Sequence, residues 1–186
     1  VLAIGPGLGR DAETGRFVKE ILTRWRKPVI VDADALYAVK EMEIDLARCP
    51  GQLILTPHVG EFAHLTGRTA AEAERERIDG AIAFAMEWGV TLVLKGMPTV
   101  IAAKDGFAYV NVTGNPGMAT GGMGDTLTGI IAALAGQEMD PEPAAICGVY
   151  LHGLAGDLLA RETPVGYTAS DVARMVPRAR KMVTGD

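Results

Sequence analysis

The chain has 186 residues, 48% hydrophobic and 22% charged, with a formal net charge of −5: one globular domain, able to bury roughly 70% of its unfolded surface without staples. No basic block or basic-aromatic interleaving occurs, which argues against a nucleic-acid partner, and the longest apolar stretch, near Ile130 to Ala135, falls far short of the ~20 residues of a membrane span. Cys49 and Cys147 lack metal-ligand spacing and read as reduced thiols of a cytoplasmic protein.

The chain opens at Val1, directly in a strand-like run and without a signal peptide, so further sequence is expected upstream. Val1 to Ile4 is a buried strand that runs into Gly-Pro-Gly-Leu-Gly. Phe17, Ile21, Leu22 and Trp25 then mark a helix over about 11–25. Val29 to Val31 forms a second strand ending in Asp-Ala-Asp, and a short helix follows. Leu53 to Leu55 forms a third strand, ending at Thr-Pro-His. One long helix is predicted from about Thr69 to Trp88. Thr91 to Leu94 is a fourth strand, leading into Lys-Gly-Met-Pro-Thr. Thr99 to Ala103 and Phe107 to Val110, separated by Lys-Asp-Gly, read as a hairpin. The remainder reads as helices over 125–136, 141–161 and 169–183.

Apolar strands alternating with helices imply an α/β fold with a mostly parallel sheet covered on both faces. Neither a linker nor an internal repeat interrupts it, so residues 1–186 form a single domain. Ligands of such sheets bind beyond the carboxyl ends of the strands. The loops there hold Gly5, Gly7 and Gly9; Asp32 and Asp34; His58 and Glu61; and Lys95. Asp32 and Asp34 can be a helix cap pair, with Asp34 starting the helix at Ala35. Asp32 can also face a substrate or a hydrated metal.

The most informative stretch is Asn-Pro-Gly-Met-Ala-Thr-Gly-Gly-Met-Gly-Asp-Thr-Leu over 115–127. Gly121, Gly122 and Gly124, with Met123, open an apolar helix, and free N–H groups at such a start make an anion site. Asp125 can simply satisfy the helix dipole. Beside a phosphate it would be repelled, and a base acting on a hydroxyl explains it better.

Gly-Gly-Met-Gly-Asp-Thr-Leu-Thr-Gly resembles the anion-hole signature of the ribokinase-like superfamily, in which the Asp deprotonates the acceptor hydroxyl. The longer string from Asn115 to Asp125 resembles the bacterial ADP-dependent NAD(P)H-hydrate dehydratases. So do Gly-Pro-Gly-Leu-Gly at 5–9, Val-Asp-Ala-Asp-Ala-Leu at 31–36, Thr-Pro-His-Val-Gly-Glu-Phe at 56–62 and Leu-Lys-Gly-Met-Pro-Thr at 94–99. The match runs nearly end to end and corresponds to the later two-thirds of such a domain. Tyr37 departs from it, since the family usually has Asn there.

The resemblance implies a ribokinase-like three-layer α/β/α sandwich lacking its first strands. It implies dehydration of the (6S) hydrate of NAD(P)H, with ADP or ATP as co-substrate and Mg²⁺ as cofactor, in a homo-oligomer. Gly7 and Gly9 would lie against the hydrated nicotinamide nucleotide, with His58 a substrate contact and Asp125 the catalytic base. Glu61 would hold magnesium through water, although a first-turn Glu also suits a plain helix start. Lys95, Gly96, Met97, Pro98 and Thr99 would bind the nucleotide together with the glycine-rich turn; a lysine ending a strand otherwise snorkels to the surface. Asp157 and His152, on a late helix, read as structural. Two other readings share these residues: a small-molecule kinase of the same superfamily, and a catalytically idle nucleotide-binding module.

Overall fold

The computed structural model describes residues 1–185. Strands β1 (Leu2–Ile4), β2 (Val29–Val31), β3 (Leu53–Leu55) and β4 (Thr91–Leu94) lie side by side in that order, all parallel. Antiparallel β5 (Val100–Ala102) and β6 (Ala108–Val110) extend the sheet beyond β4. The strand ends at Ile4, Val31, Leu55 and Leu94 are therefore neighbours, and their four loops open along one edge.

Parallel neighbours require crossovers, and helices supply them. Helix α1 (Ala12–Arg24) joins β1 to β2, and α2 (Ala33–Glu41) leads from β2 toward β3. Helices α3 (Val59–Thr66), α4 (Ala70–Arg75) and α5 (Arg77–Trp88) lie between β3 and β4. Three more follow the hairpin: α6 (Met123–Gly136), α7 (Pro141–Ala160) and α8 (Ala169–Thr184).

The alternation of side chains along each strand divides the core. Val29, Val31, Leu53, Leu55, Leu92 and Leu94 pack with Val18 and Leu22 of α1, Leu36 of α2, Phe62 of α3 and Phe84 of α5. Ile30, Ile54, Val93 and Ile101 face the other way, onto Leu127 and Ile131 of α6 and Val149 of α7. A third apolar cluster joins Leu151, Ala155 and Leu158 of α7 to Val172 and Ala179 of α8. The result is a three-layer α/β/α sandwich with α8 outside α6 and α7.

Three expectations need correction. The helix predicted over Thr69 to Trp88 is two helices that break at Glu76. The break coincides with Arg77, whose side chain is buried and reaches the loop after β4; that long-range contact leaves no trace in local periodicity. Helix α6 begins at Met123 rather than Asp125, because Gly122 at φ +83° ends the turn. Helix α7, at 20 residues, is by length and composition able to cross a bilayer, contrary to the short apolar stretch read from the sequence. Half of its most apolar window is buried inside the fold, so core packing accounts for its apolarity.

Candidate active site

Asp32 and Lys95 form the centre of the carboxyl edge. Asp32 is 1% exposed, and its Oδ1 accepts from Lys95 Nζ at 2.9 Å while its Oδ2 accepts from Thr128 Oγ1 at 2.8 Å. Lys95 Nζ also lies 3.8 Å from Glu61 Oε2, and its backbone N–H donates to Pro57 O at 2.8 Å. These contacts tie the loops after β2, β3 and β4 to α6. A buried carboxylate needs such a partner, because leaving it unpaired costs several kcal/mol. Lys95 thus does not snorkel away from the site.

Neither of the two aspartates makes a side-chain cap on α2, contrary to the cap-pair reading. Asp34 instead accepts from Gly9 N–H at 3.0 Å and from Arg10 Nε at 2.7 Å. Arg10 first, with the Gly9 amide, holds this carboxyl below its usual range against the opposing effect of burial. The turn between them uses Ala33 at φ +47°, a left-handed conformation costing about 1–2 kcal/mol for a residue with a Cβ. That turn sends Asp32 inward and leaves Asp34 to fix the first loop.

In that loop Gly5 is the sterically constrained glycine. A Cβ there would lie 1.7 Å from the Asp32 carbonyl oxygen. Gly7 and Gly9 meet no such barrier. Their neighbour Arg10 lines a cleft of about 230 Å³ with Ala33, Tyr37, His58, Gly60, Glu61 and His64. Tyr37 stacks on His64 with ring centroids 4.7 Å apart, and the Arg10 guanidinium sits 4.8 Å from the centre of the Tyr37 ring. His58 and Glu61 form a reciprocal capping box. His58 Nδ1 accepts from the N–H groups of Gly60 and Glu61, and Glu61 Oε2 accepts from His58 N–H at 2.7 Å. With Nδ1 used as an acceptor, His58 carries its proton on Nε2, on an exposed ring edge.

Across the Asp32–Lys95 pair lies a larger cavity of about 550 Å³. Lys95 to Thr99 form one wall and Val110 to Asn115 another; Met123, Gly124, Val149 and His152 close it. Arg77 holds the first wall from beneath. One of its terminal nitrogens donates to the carbonyls of Lys95 and Pro98, both at 3.2 Å, while Glu74 takes the rest of the guanidinium. Asp157 anchors the second wall, accepting from Gly114 N–H and Asn115 Nδ2, both at 2.9 Å.

At the start of α6 the N–H groups of Met123, Gly124 and Asp125 have no acceptor among the described residues, the first rung being Thr126 N–H to Gly122 O. Asp125 itself is exposed and, among the described residues, without a hydrogen-bond or ion-pair partner. Asp32, Asp34 and Glu61 are all engaged. Gly121 and Gly122 are exposed and are not part of the cavity wall. The structure thus brings Lys95 to Thr99, Met123 and Gly124 around one cavity and His58 and Glu61 around the other cleft. Arg77, Thr128 and His152 were missed as site residues. Thr128 lies within the glycine-rich motif itself, whereas nothing local marks Arg77.

Among the described residues no cluster of three His, Cys, Asp or Glu side chains is arranged to hold a metal. Glu61 is committed to the capping box and to Lys95. This donor set fits a magnesium ion carried by nucleotide phosphates, with at most water-mediated help from Glu61, and not a protein-built cage.

A sequence profile described as NAD(P)H-hydrate dehydratase matches residues 1–178. The bifunctional NAD(P)H-hydrate repair enzyme Nnr of Moorella thermoacetica is 56% identical over 162 residues, covering 87% of this chain but only 31% of that protein. The crystal structure of ADP/ATP-dependent NAD(P)H-hydrate dehydratase from Bacillus subtilis, co-crystallised with ATP/Mg²⁺, superposes with a TM-score of 0.88 at 39% identity, covering 97% of this chain and 63% of that one. A ribokinase-like superfamily protein from Enterococcus faecalis superposes with a TM-score of 0.82 at 32% identity, over 97% and 63% of the two chains.

Proposed function

The chain belongs to the NAD(P)H-hydrate dehydratase family, and from that premise we propose that it dehydrates the (6S) hydrate of NAD(P)H at the expense of ADP or ATP. The observation that carries this reading is Asp125, a carboxylate without a partner among the described residues at a helix start whose first three backbone N–H groups, its own included, have no acceptor there, where the other three carboxylates at the strand ends are all engaged.

With ADP, the nucleotide occupies the larger cavity, its phosphates toward the start of α6. The hydrate occupies the smaller cleft beside His58, its ring hydroxyl directed at Asp125. Asp125 accepts the hydroxyl proton as the oxygen forms a bond to the terminal phosphorus. The bridging phosphorus–oxygen bond breaks, and AMP leaves with its electron pair. The N–H groups of Met123 and Gly124 meet charge developing on the transferring phosphoryl oxygens. A magnesium ion on the phosphates supplies further neutralisation when bound. Lys95, fixed by Asp32, adds a cation that needs no rearrangement. The ring nitrogen's lone pair then expels phosphate from the adjacent carbon, and loss of a proton from the next carbon restores the ring double bond. The net change is hydrate plus ADP to NAD(P)H, AMP and phosphate.

The test is to mix hydrated NADH with ADP, magnesium and the protein. The expected result is a return of reduced-nicotinamide absorbance with AMP and phosphate in equal amounts. A stable phosphorylated product without that absorbance would make the protein a small-molecule kinase, and nucleotide binding without turnover would make it an idle module.

A further inference from the structure

The strap that joins α7 to α8, residues 164–168, meets the glycine-rich stretch at both of its ends. At the first end Tyr167, buried at 7% exposure, donates its phenol O–H to Asn115 Oδ1 at 2.5 Å, and the same oxygen accepts Gly117 N–H at 3.0 Å. Asn115 Nδ2 donates to Asp157 Oδ1 on α7 at 2.9 Å. The amide is thus used on both sides and cannot turn over without losing bonds on each. Gly117 fits this joint so closely that a Cβ there would lie 2.5 Å from Pro164 O and 2.7 Å from Tyr167 Oη. At the second end is Ala169, the first residue of α8. Its carbonyl oxygen lies 3.5 Å from Thr126 Oγ1, and its Cβ would stand 3.2 Å from a Cβ at Gly122.

Between the two joints the turn is held by little else. Residues 119–122 are exposed, and the N–H groups of Ala119 and Thr120 bond only to Pro116 and Met118. The strap itself is fixed, because Thr168 and Asp171 close a reciprocal capping box at the start of α8. Gly114, Asn115 and Met118 face Met123 and Gly124 across the larger cavity. One short segment therefore bonds to the cavity wall through Asn115 and rests on the start of α6 through Ala169. Tyr167 itself lines neither the larger cavity nor the smaller cleft, so it does not act by touching a reactant.

We propose that Tyr167 is a positioning residue for phosphoryl transfer. Acting through Asn115, it sets the spacing between the cavity wall and the start of α6, and so aligns the terminal phosphoryl group with Asp125. This rests on the dehydratase reading given above. A displacement of about 1 Å at a reacting group can cost about 100-fold in rate, so a single hydrogen bond that fixes this spacing has leverage on turnover out of proportion to its strength.

The test measures kcat and the KM values for ADP and hydrated NADH in the wild type, Tyr167→Phe, Asn115→Ala and the double variant, after thermal melts confirm folding. Phenylalanine keeps the ring in the apolar cluster with Val172 and Leu158 and removes only the hydroxyl. Its kcat should fall by about 10- to 100-fold, with both KM values little changed, because no group that touches a reactant is lost. Since Tyr167 acts through Asn115, the double variant should match Asn115→Ala. Gly117→Ala, whose methyl would push Tyr167 Oη and Pro164 O away, opens the same joint and should give the same selective loss; it supplies the answer should the Phe variant fail to fold. Wild-type kcat in folded Tyr167→Phe would overturn the proposal. So would a loss confined to the KM for ADP, which belongs to a wall of the nucleotide site and not to alignment. Multiplicative losses in the double variant would overturn the route through Asn115. A wild-type protein that bound ADP but did not turn over the hydrate would remove the dehydratase reading, and this role with it.

Discussion

On the β1–β3 side of the Asp32–Lys95 pair the side chains are largely matched to one another: Asp34 with Arg10, His58 with Glu61, Tyr37 with His64. On the β4–α7 side the walls are mostly apolar or internally bonded, and among the described residues the groups without hydrogen-bond partners there are mainly backbone N–H groups at the start of α6. On the first side His64 Nε2 lacks a hydrogen bond but lies 3.3 Å from Glu41 Oε1. The first side is a preassembled polar network, which can discriminate by shape and by which of its bonds a ligand replaces. The second is a set of vacant donors in a low-dielectric wall, suited to an anion that brings its own charge. The Asp32–Lys95 pair divides them and belongs to both.

The largest effect is therefore expected from disturbing that divider. Lys95→Met leaves Asp32 buried with only Thr128, and breaking a buried pair from one side costs about 3–5 kcal/mol. Chemical denaturation should register that loss, with binding weakened in both clefts. A change confined to one cleft would mean that they are independent. Next comes Arg77→Met, which releases the Lys95 and Pro98 carbonyls. ADP affinity should fall by about 10-fold, the worth of one or two charge-assisted hydrogen bonds, with hydrate affinity unchanged when both are titrated. Gly124→Ala is milder. Its added methyl would stand 3.2 Å from Lys95 Nζ, which the Asp32 pair holds in place, so the pair must give by a few tenths of an ångström and ADP should bind about 3- to 10-fold more weakly. Gly122→Val is a poorer probe, because φ +83° strains any branched residue before a ligand is considered.

The smallest effect lies on the polar side. Asp34 is held below its usual range by Arg10 and Gly9. A depressed carboxyl contributes stability above its unfolded pKa and loses it as pH falls through the folded value. Asp34→Asn should lower Tm by about 1–2 °C at pH 7, and the gap should close below about pH 4. A gap that persisted in acid would show that the Asp34 charge is not its source.

The same contrast explains what the sequence disclosed. The succession of strands along the chain and the glycine-rich turn before α6 were legible because periodicity and backbone demands are local, although the helix starts two residues earlier than read. His58 and Glu61 were legible as candidates through the resemblance, whereas the capping box that joins them was not read from the sequence. The Asp34–Gly9 bond was not, since 25 residues separate its ends. The Arg77 brace was hidden by a helix break that no residue announces, and His152 by an apolar helix on which one histidine is unremarkable. The bounds of α7 were legible, but its apolar character was not, because glycines, Pro143 and a few polar residues punctuate its apolar run.

Whether Asp125 is a base or only part of a helix start is decided by hydrate turnover and ADP affinity measured on the same folded Asp125→Asn protein. Asparagine serves a helix start nearly as well as aspartate but accepts no proton. Turnover should fall by about 10²–10⁴-fold, with ADP bound as tightly as before or more so, because a negative charge beside the phosphates is gone. Turnover close to that of the wild type would contradict the role of base.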